Sequence, residues 1–458
     1  MHKIAQKSWS EGIFRAYDIR GRYPEEINED AAYKIARAFA RYLKLGVKEK
    51  ENLKIVVSAD ARKSSPALKK AFLDGLLDEG AEIVDAGLTT TPMHYFIVNK
   101  TEADGGAMIT ASHIPQPTNG IKLSKKGAIP IGQGFGMEEI KNDTIRGIFA
   151  ADRPQGKISK QNFLKDYLNF FEGKFPDLKK CCLKIVVDAG NGMTSIVLRK
   201  LFLKFPNIKV EFLHDDLDMT FPNHEANPLK PETTLDVQRI LSKGGYDLGI
   251  SFDADGDRVG FIDEVGNRIG GDIIMVILAR HFVSPGKAAV YDLRASRVVR
   301  EEIELLGGKP VESRVGHTFI KQTMRKENAV FGGEFSGHYY FQGFFFAESA
   351  LFAMFQLLNI IFVEKQKISG LARPHLRYFK SEEINFEVDD REKIIDKIAS
   401  YFPDAKISYL DGIKIEYPNW WFNLRPAANE NLVRLNLEAS TPQLFSEKKK
   451  LLSELINA

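Results

Sequence analysis

Phe252-Asp-Ala-Asp-Gly-Asp-Arg258 alternates three carboxylates with small residues and closes on an arginine. The run before it, Tyr246-Asp-Leu-Gly-Ile-Ser-Phe252, reads as a strand, so Asp253, Asp255 and Asp257 occupy the loop at its C-terminal end. In an α/β sheet that end is where ligands bind. Three acids this close repel one another unless a cation joins them. A few hard oxygen ligands suit Mg2+, which keeps positions open for water or a phosphate oxygen.

Rival readings of the acids can be compared. An EF-hand loop needs glycine where Arg258 stands. A haloacid-dehalogenase-type phosphatase loop runs Asp-x-Asp-x-Thr/Val, and here the fifth residue is Asp257. A solvated acidic turn stays open at this point.

The chain around this loop has 458 residues, enough for roughly three domains at about 150 residues each. Hydrophobic residues make up 44% and charged residues 27%, a soluble globular balance. A net charge of +3 and the lack of a Lys/Arg block point away from nucleic acid; Lys448-Lys449-Lys450 lies on an amphipathic terminal helix. The adjacent pair Cys181-Cys182 forms neither a disulfide framework nor a metal spacing, which fits a reducing compartment. The N-terminus has no apolar run of signal-peptide length, and the most apolar segment, 350–363, is too short to span a bilayer. The expectation is a cytoplasmic protein without a membrane partner.

A pattern then recurs along the chain. Leu53–Asp60 is a buried strand ending in an acid; Ser65-Pro66 starts a helix, Ala81–Asp85 is a second strand, Thr91-Pro92 starts a helix, and the strand Gly106–Thr110 delivers the loop 111–120. Leu183–Asp188 again ends in an acid, Gly190-Asn-Gly192 turns into a helix, Val210–Leu213 follows, and Tyr246–Phe252 delivers the acidic loop. Ala288–Asp292, a helix from Ser296, Pro310–Ser313 and Ala329–Phe331 repeat the order and deliver Gly332-Gly-Glu-Phe-Ser-Gly-His338. Strand and helix alternation argues three similar α/β units with mixed, largely parallel sheets. If the three loop ends face one another, they line a central cleft.

The last part changes character. Ile407–Leu410 and Ile413–Tyr417 flank Asp411-Gly412, a hairpin signal. Further strands at Trp420–Leu424 and Leu432–Glu438 and a helix from Thr441-Pro442 make an α+β domain with an antiparallel sheet. Boundaries are expected at Asp152–Gly156, near Glu264–Asn267, and at Ala372–His375.

The delivered loops carry different chemistry. In Thr110-Ala-Ser112-His113 the serine follows a strand directly, and it needs a base or a positive field to act as a nucleophile. His113 is its sequence neighbour, and neighbours on an extended loop diverge. Lys122 lies beyond Asn119-Gly120, read as a turn that folds it back toward Ser112. A desolvated lysine near other cations can have a depressed pKa and serve as a base. Arg20, Arg258, Arg294, His317, Lys321 and Arg425 are candidates for phosphate oxygens; of these Arg20, Arg258 and Arg425 are read as lying in loops or turns after apolar strands. Glu334 and Ser336 suit vicinal sugar hydroxyls. There is no Walker-type phosphate loop, and Gly132-Gln-Gly134-Phe-Gly136 lacks the dinucleotide spacing.

These residues resemble the α-D-phosphohexomutase family, nearest its phosphomannomutase and dual phosphomannomutase/phosphoglucomutase branch. The resemblance runs from Phe14 to Ala439. Thr110-Ala-Ser-His113 is similar to the family's phosphoserine loop, Asp253-Ala-Asp-Gly-Asp-Arg258 to its magnesium loop, and Gly333-Glu-Phe-Ser-Gly-His338 to its sugar loop. Phe14-Arg-Ala-Tyr-Asp-Ile-Arg-Gly21, Phe221-Pro-Asn-His-Glu-Ala-Asn-Pro-Leu229 and Arg314–Lys321 match further segments. The phosphoglucosamine branch usually has a polar residue where Phe335 stands.

The resemblance implies an isomerase of carbohydrate metabolism that interconverts hexose 1-phosphate and hexose 6-phosphate, of mannose or glucose, through phosphorylated Ser112 and a hexose 1,6-bisphosphate intermediate. It implies four domains: 1–155 for the phosphoserine, 156–267 for the metal, 268–374 for the sugar and 375–458 for the distal phosphate. Ser112, Asp253, Asp255 and Asp257 would hold Mg2+; Lys122 would be the general base, with Arg258 and His113 beside the transferring group. Tyr17, Arg20, Arg294, His317, Glu334, Ser336, His338, Arg425 and Asn429 would bind the phosphosugar, in a monomer or homodimer.

Two departures stand out. Ile114-Pro115 follows Ser-His where the family usually has Asn-Pro. The distal loop, Arg425-Pro-Ala-Ala-Asn-Glu-Asn431, lacks both hydroxyl donors of the family's Arg-Pro/Ser-Ser-Asn/Gly-Thr-Glu-Pro. Hydrogen bonds to a charged group contribute about 1.5–3 kcal/mol each, so their loss would weaken binding by roughly two to four powers of ten. A diverged member with a binding or regulatory role, or another phosphosugar substrate, is the alternative.

Overall fold

The computed structural model describes residues 9–46, 52–149, 156–427 and 431–457. The chain divides into two compact units, Met1–Ile269 with Ser336–Ile368, and Gly270–Phe335 with Ser369–Ala458.

The first unit holds two mixed sheets. One is ordered β1 (Ile19–Arg22), β5 (Thr118–Lys125), β4 (Gly105–Ile109), β2 (Lys54–Ala59), β3 (Glu82–Leu88) and β7 (Lys157–Lys160), with the short β6 (Ile129–Pro130) against β5. The pairs of β2 with β3 and β4 are parallel, whereas β5 runs antiparallel to both β4 and β1. The second sheet is ordered β12 (Arg268–Ile269), β11 (Val259–Ile262), β10 (Leu248–Phe252), β8 (Lys184–Asp188) and β9 (Lys209–Leu213).

Local chemistry explains the helices that cover these sheets. In α1 (Glu29–Gly46) the Asn28 side chain accepts from the Ala31 N–H at 3.1 Å, and Glu29 and Asp30 sit in the first turn, where acids suit the helix dipole. Ile35, Phe39 and Leu43 recur at helical spacing and are buried with Ile55, Val57 and Phe72. Truncating such a residue, Phe39→Ala for instance, costs about 3–5 kcal/mol. α2 (Ser65–Leu77) and α3 (Thr91–Lys100) each begin with proline near the first position, as expected from the sequence. Residues 336–368 add an antiparallel pair, Tyr339–Phe341 with Ala347–Glu348, and the buried helix Ala350–Glu364. Phe352 and Phe355 of that helix pack tilted or edge-on against Phe171 and Phe175 at 5.3–6.3 Å between ring centres.

In the second unit β13 (Ala288–Asp292) pairs in parallel with β14 (Lys309–Ser313) and β15 (Phe331–Gly333). The sequence placed this last strand two residues earlier. The C-terminal sheet is antiparallel, ordered Phe379–Lys380, Leu432–Ala439, Trp420–Pro426, Ile413–Glu416, Lys406–Ser408, and Ile384–Glu387 also pairs with Leu432–Ala439. The helix Pro442–Asn457 closes the chain. Mixed α/β sheets followed by an antiparallel α+β part are thus the architecture expected from the strand and helix order.

Two expectations are corrected. Asn119 and Gly120 do not form a turn; they lie within β5, paired with Gly21 and Arg20. The glycine serves close packing instead: a Cβ on Gly120 would lie 2.3 Å from the Ile19 carbonyl oxygen and 2.9 Å from that of Thr110. Arg20 and Arg425 are strand residues, not loop residues. No helix among the described residues is long and apolar enough to cross a membrane.

Candidate active site

The loop after β4 and the loop after β10 meet inside the first unit. Ser112, three residues beyond β4, takes a left-handed conformation, φ 54°, that an L-residue rarely adopts. Its N–H donates to Thr110 Oγ1 at 3.0 Å, and its carbonyl accepts a short bond from buried Arg62, which Asp60 holds at 3.0 Å. So anchored, Ser112 Oγ lies 3.2 Å from Asp253 Oδ2 and 3.3 Å from His113 Nδ1. The positive φ therefore overturns the expectation that neighbouring Ser and His side chains diverge.

Asp253, Asp255 and Asp257 are all buried, and each offers an oxygen within 4.8 Å of the others. The loop that places them turns at Gly256, φ 75°, while Asp253 Oδ1 accepts from the N–H groups of Asp257 and Arg258, both at 3.0 Å. Thr91, at the start of α3, donates to Asp255 Oδ2 at 2.5 Å. Asp255 Oδ1 is buried with no hydrogen-bond partner among the described residues. An orphaned carboxylate oxygen inside an oxygen-only donor set fits a hard divalent cation.

Lys122 comes from β5, opposite Met108 of β4. Its Nζ reaches Asp255 Oδ2 at 2.7 Å and Asp257 Oδ2 at 2.6 Å. Burial works against its charge, but Asp255 and Asp257 outweigh it and hold the ammonium well above the ordinary lysine range. That reverses the expected depression: Lys122 stands here as a cation. Burial and repulsion from Asp257 and Asp255 push Asp253 up. Burial opposes the charge of Asp257, yet Lys122, His338 and Arg258 pull it well down. His113 is held well below its usual range by burial first, then by Arg258 and Arg20, so it stays neutral. His338 Nε2 lies 3.3 Å from Asp257 Oδ1 and 3.4 Å from Arg258 Nε, and its Nδ1 is 2.9 Å from Ser336 Oγ.

Models of the phosphoglucomutase/phosphomannomutase α/β/α domains I, II and III match residues 11–150, 165–266 and 270–379. The chain is 38% identical to a phosphomannomutase of Methanocaldococcus jannaschii, over 97% of each chain. It is 36% identical to the phosphohexose mutases of Xanthomonas campestris, over 93% of this chain and 94% of the relative. The crystal structure of a phosphoglucomutase/phosphomannomutase family protein from Burkholderia thailandensis superposes with a TM-score of 0.86 at 27% identity, covering 98% of both chains.

This chain belongs to the phosphoglucomutase/phosphomannomutase family. Of the residues expected to serve that family's chemistry, the first unit brings together Ser112, His113, Lys122, Asp253, Asp255, Asp257, Arg258, Ser336 and His338. Arg20 points its guanidinium at Asp18, 2.6 Å away, and Tyr17 lies in the bend before β1.

In the second unit Arg294 donates to Asp292 at 2.8 Å, and Asp292 accepts the Phe335 N–H at 2.8 Å. Glu334 lies 3.8 Å from Arg294 Nη2 and accepts from the Gly316 N–H at 3.3 Å. His317 and the buried Lys321 share the helix His317–Lys326. Arg425 Nη2 pairs with Glu383 at 2.8 Å, and Arg434 pairs with the same carboxylate at 3.1 Å. Burial opposes the charge of Glu383, but Arg425, Arg294 and Arg434 hold its pKa down to about 2. Asn429 lies outside the described residues.

Sequence reasoning missed Arg62, Thr91 and Glu383. Asp60-Ala-Arg62 and Asp292-Leu-Arg294 are the one available signal: each strand-end acid carries its arginine two residues on.

Proposed function

We propose that the chain is a phosphohexomutase that interconverts the 1- and 6-phosphates of mannose or glucose, with Ser112 as the phosphoryl carrier. The observation that carries this reading is the 3.2 Å contact between Ser112 Oγ and Asp253 in a buried three-carboxylate cluster. A serine hydroxyl beside a divalent-cation site suits phosphoryl transfer, in which positioning and charge stabilisation do most of the catalysis. The relatives' activities as phosphomannomutase and phosphohexose mutases support the substrate class.

Asp253, Asp255 and Asp257, with the Ser112 oxygen, are the residues that would hold Mg2+, which when bound neutralises phosphoryl charge. Ser112 is held in place by Thr110 and Arg62, so little reorganisation is needed before reaction. Arg258 and the neutral His113 flank the transferring group. Asp255 and Asp257 hold the proton on Lys122 against its burial. Were their charge taken by a bound cation, burial would favour the free amine, the form able to accept the sugar hydroxyl's proton. Glu334 and Ser336 grip the 3- and 4-hydroxyls that glucose and mannose share. Arg20, Tyr17, Arg294, His317, His338, Arg425 and Asn429 take the remaining sugar and phosphate contacts. Hexose 1,6-bisphosphate is the intermediate and, in trace, the activator. The working division is 1–155, 156–267, 268–374 and 375–458, in a monomer or homodimer of the cytoplasm.

The test follows glucose or mannose 1-phosphate by 31P NMR with Mg2+ and a trace of hexose 1,6-bisphosphate. Conversion to the 6-phosphate supports the reading; release of inorganic phosphate alone, or no change, sinks it. A second reading, a diverged member with a regulatory or altered substrate role, is favoured by the Arg425–Glu383 pair and the 425–431 loop. Ala427→Ser with Asn429→Thr separates the two. High native turnover removes the second reading, and activity that emerges only in the double variant establishes it.

A further inference from the structure

The three strand-end acids of the repeat are balanced differently. Asp60 takes Arg62 at 3.0 Å, and Asp292 takes Arg294 at 2.8 Å, each from two residues downstream. At the matching place after Asp188 stands Gly190, at φ 54°, where a Cβ would meet Ala226 at 3.1 Å. An arginine there would be strained in both backbone and packing. Asp188 is nonetheless fully buried, and a buried carboxylate needs a cation or a full set of donors.

Two histidines, 26 and 36 residues further along the chain, converge on it instead. His224 Nε2 lies 2.9 Å from Asp188 Oδ2, and His214 Nδ1 lies 3.1 Å from Oδ1. The rings stand edge to face, 4.9 Å apart, and the three ligand atoms fall within 4.8 Å of one another. The far nitrogen of His224 faces the Glu225 carbonyl at 2.9 Å. That contact fixes the ring so that Nε2 points inward, as outer partners orient metal-bound histidines. The Asp236 carboxylate lies 3.7 Å from His214 Nε2, close enough to act as a charge but too far for a hydrogen bond. His214 itself is held at φ 45°, a costly conformation that aims its ring at Asp188.

We propose that Asp188, His214 and His224 form a second metal site, for a divalent transition metal of the zinc type. Two imidazoles and a carboxylate are a borderline donor set, which Zn2+ or Co2+ takes and Mg2+ does not. Neighbouring ligands around four-coordinate zinc stand about 3.3 Å apart at bonds of ~2.0–2.1 Å, so the two contacts of Asp188 with the imidazoles, at 2.9 and 3.1 Å, need open by only a few tenths. Both histidine side chains keep a little solvent access, 16% and 14%, which gives the ion an entry. Its role is structural. Asp188 pairs with Ser251, two residues before Asp253, and Gly192 packs on the backbone of Ala254, so a metal here stiffens the support of the acidic loop.

The full chain, stripped with EDTA and held in saturating Mg2+, is titrated with Co2+ and read by visible absorption. One equivalent should give the intense ligand-field bands of a four- or five-coordinate nitrogen-containing site. Zn2+ should displace it, and Asp253→Asn should leave the bands in place. His224→Gln and His214→Gln should each weaken binding at least tenfold. Only the faint spectrum of six-coordinate oxygen ligation, bands that survive both histidine variants, or bands lost with Asp253→Asn would overturn the proposal. The wild-type spectrum decides it even if a variant fails to fold.

Discussion

Ser112 Oγ and Asp253 Oδ2 lie 3.2 Å apart although 141 residues separate them in the chain. The contact joins the ends of two sheets, each built from its own strand–helix repeat, and it depends on backbone geometry at Ser112. That geometry makes activity and stability separable at one position.

Ser112→Ala should lower turnover by about 10^4-fold or more, as deletion of a covalent nucleophile does. It keeps the left-handed backbone and its cost. Ser112→Gly should be equally inactive yet relieve roughly 1 kcal/mol of strain. Calorimetric unfolding of the two variants checks this; a glycine variant less stable than the alanine one contradicts it.

Lys122→Met should destabilise the metal-free protein by roughly 3–5 kcal/mol, because Asp255 and Asp257 are left buried without their shared ammonium. Since Mg2+ answers the same negative charge, it should raise the melting temperature of the variant more than that of the wild type. Equal Mg2+ shifts in thermal melts would show that the ammonium and the metal site are not coupled.

His94 sets an acid limit. It is buried on α3, with Nδ1 2.9 Å from Ser58 Oγ, and burial drops its pKa from 6.5 to about 3. The unfolded chain therefore binds a proton below 6.5 that the native chain refuses. The stabilisation is complete above pH 6.5 and is lost as pH falls toward the folded value. Between pH 7.5 and 5.0 this group removes about 2 kcal/mol. In His94→Gln that part of the loss should vanish. Urea midpoints at the two pH values measure it, and an unchanged pH difference refutes the assignment.

What could be read in the chain follows from how local each signal is. Asp253, Asp255 and Asp257 fall in five residues, so spacing alone put them on one loop. The acids at the ends of β2, β8 and β13 were visible for the same reason. Partners were not. Thr91 reaches Asp255 across 164 residues, and Arg62 reaches the Ser112 carbonyl across 50. Thr91 looked only like a helix start, which it also is. Asn119-Gly120 misled because a turn and a tight strand crossing both select glycine; only the neighbouring strands β1 and β4 distinguish them. Lys122 was placed near Ser112, but its protonation depends on two carboxylates brought by a different sheet.

The most direct test of Ser112 as the phosphoryl carrier is the intact mass of the protein before and after incubation with hexose 1,6-bisphosphate and Mg2+, followed by peptide mapping. The account predicts a gain of one phosphate, located on Ser112 and absent from Ser112→Ala. No added phosphate, or a phosphate on any other residue, would contradict it.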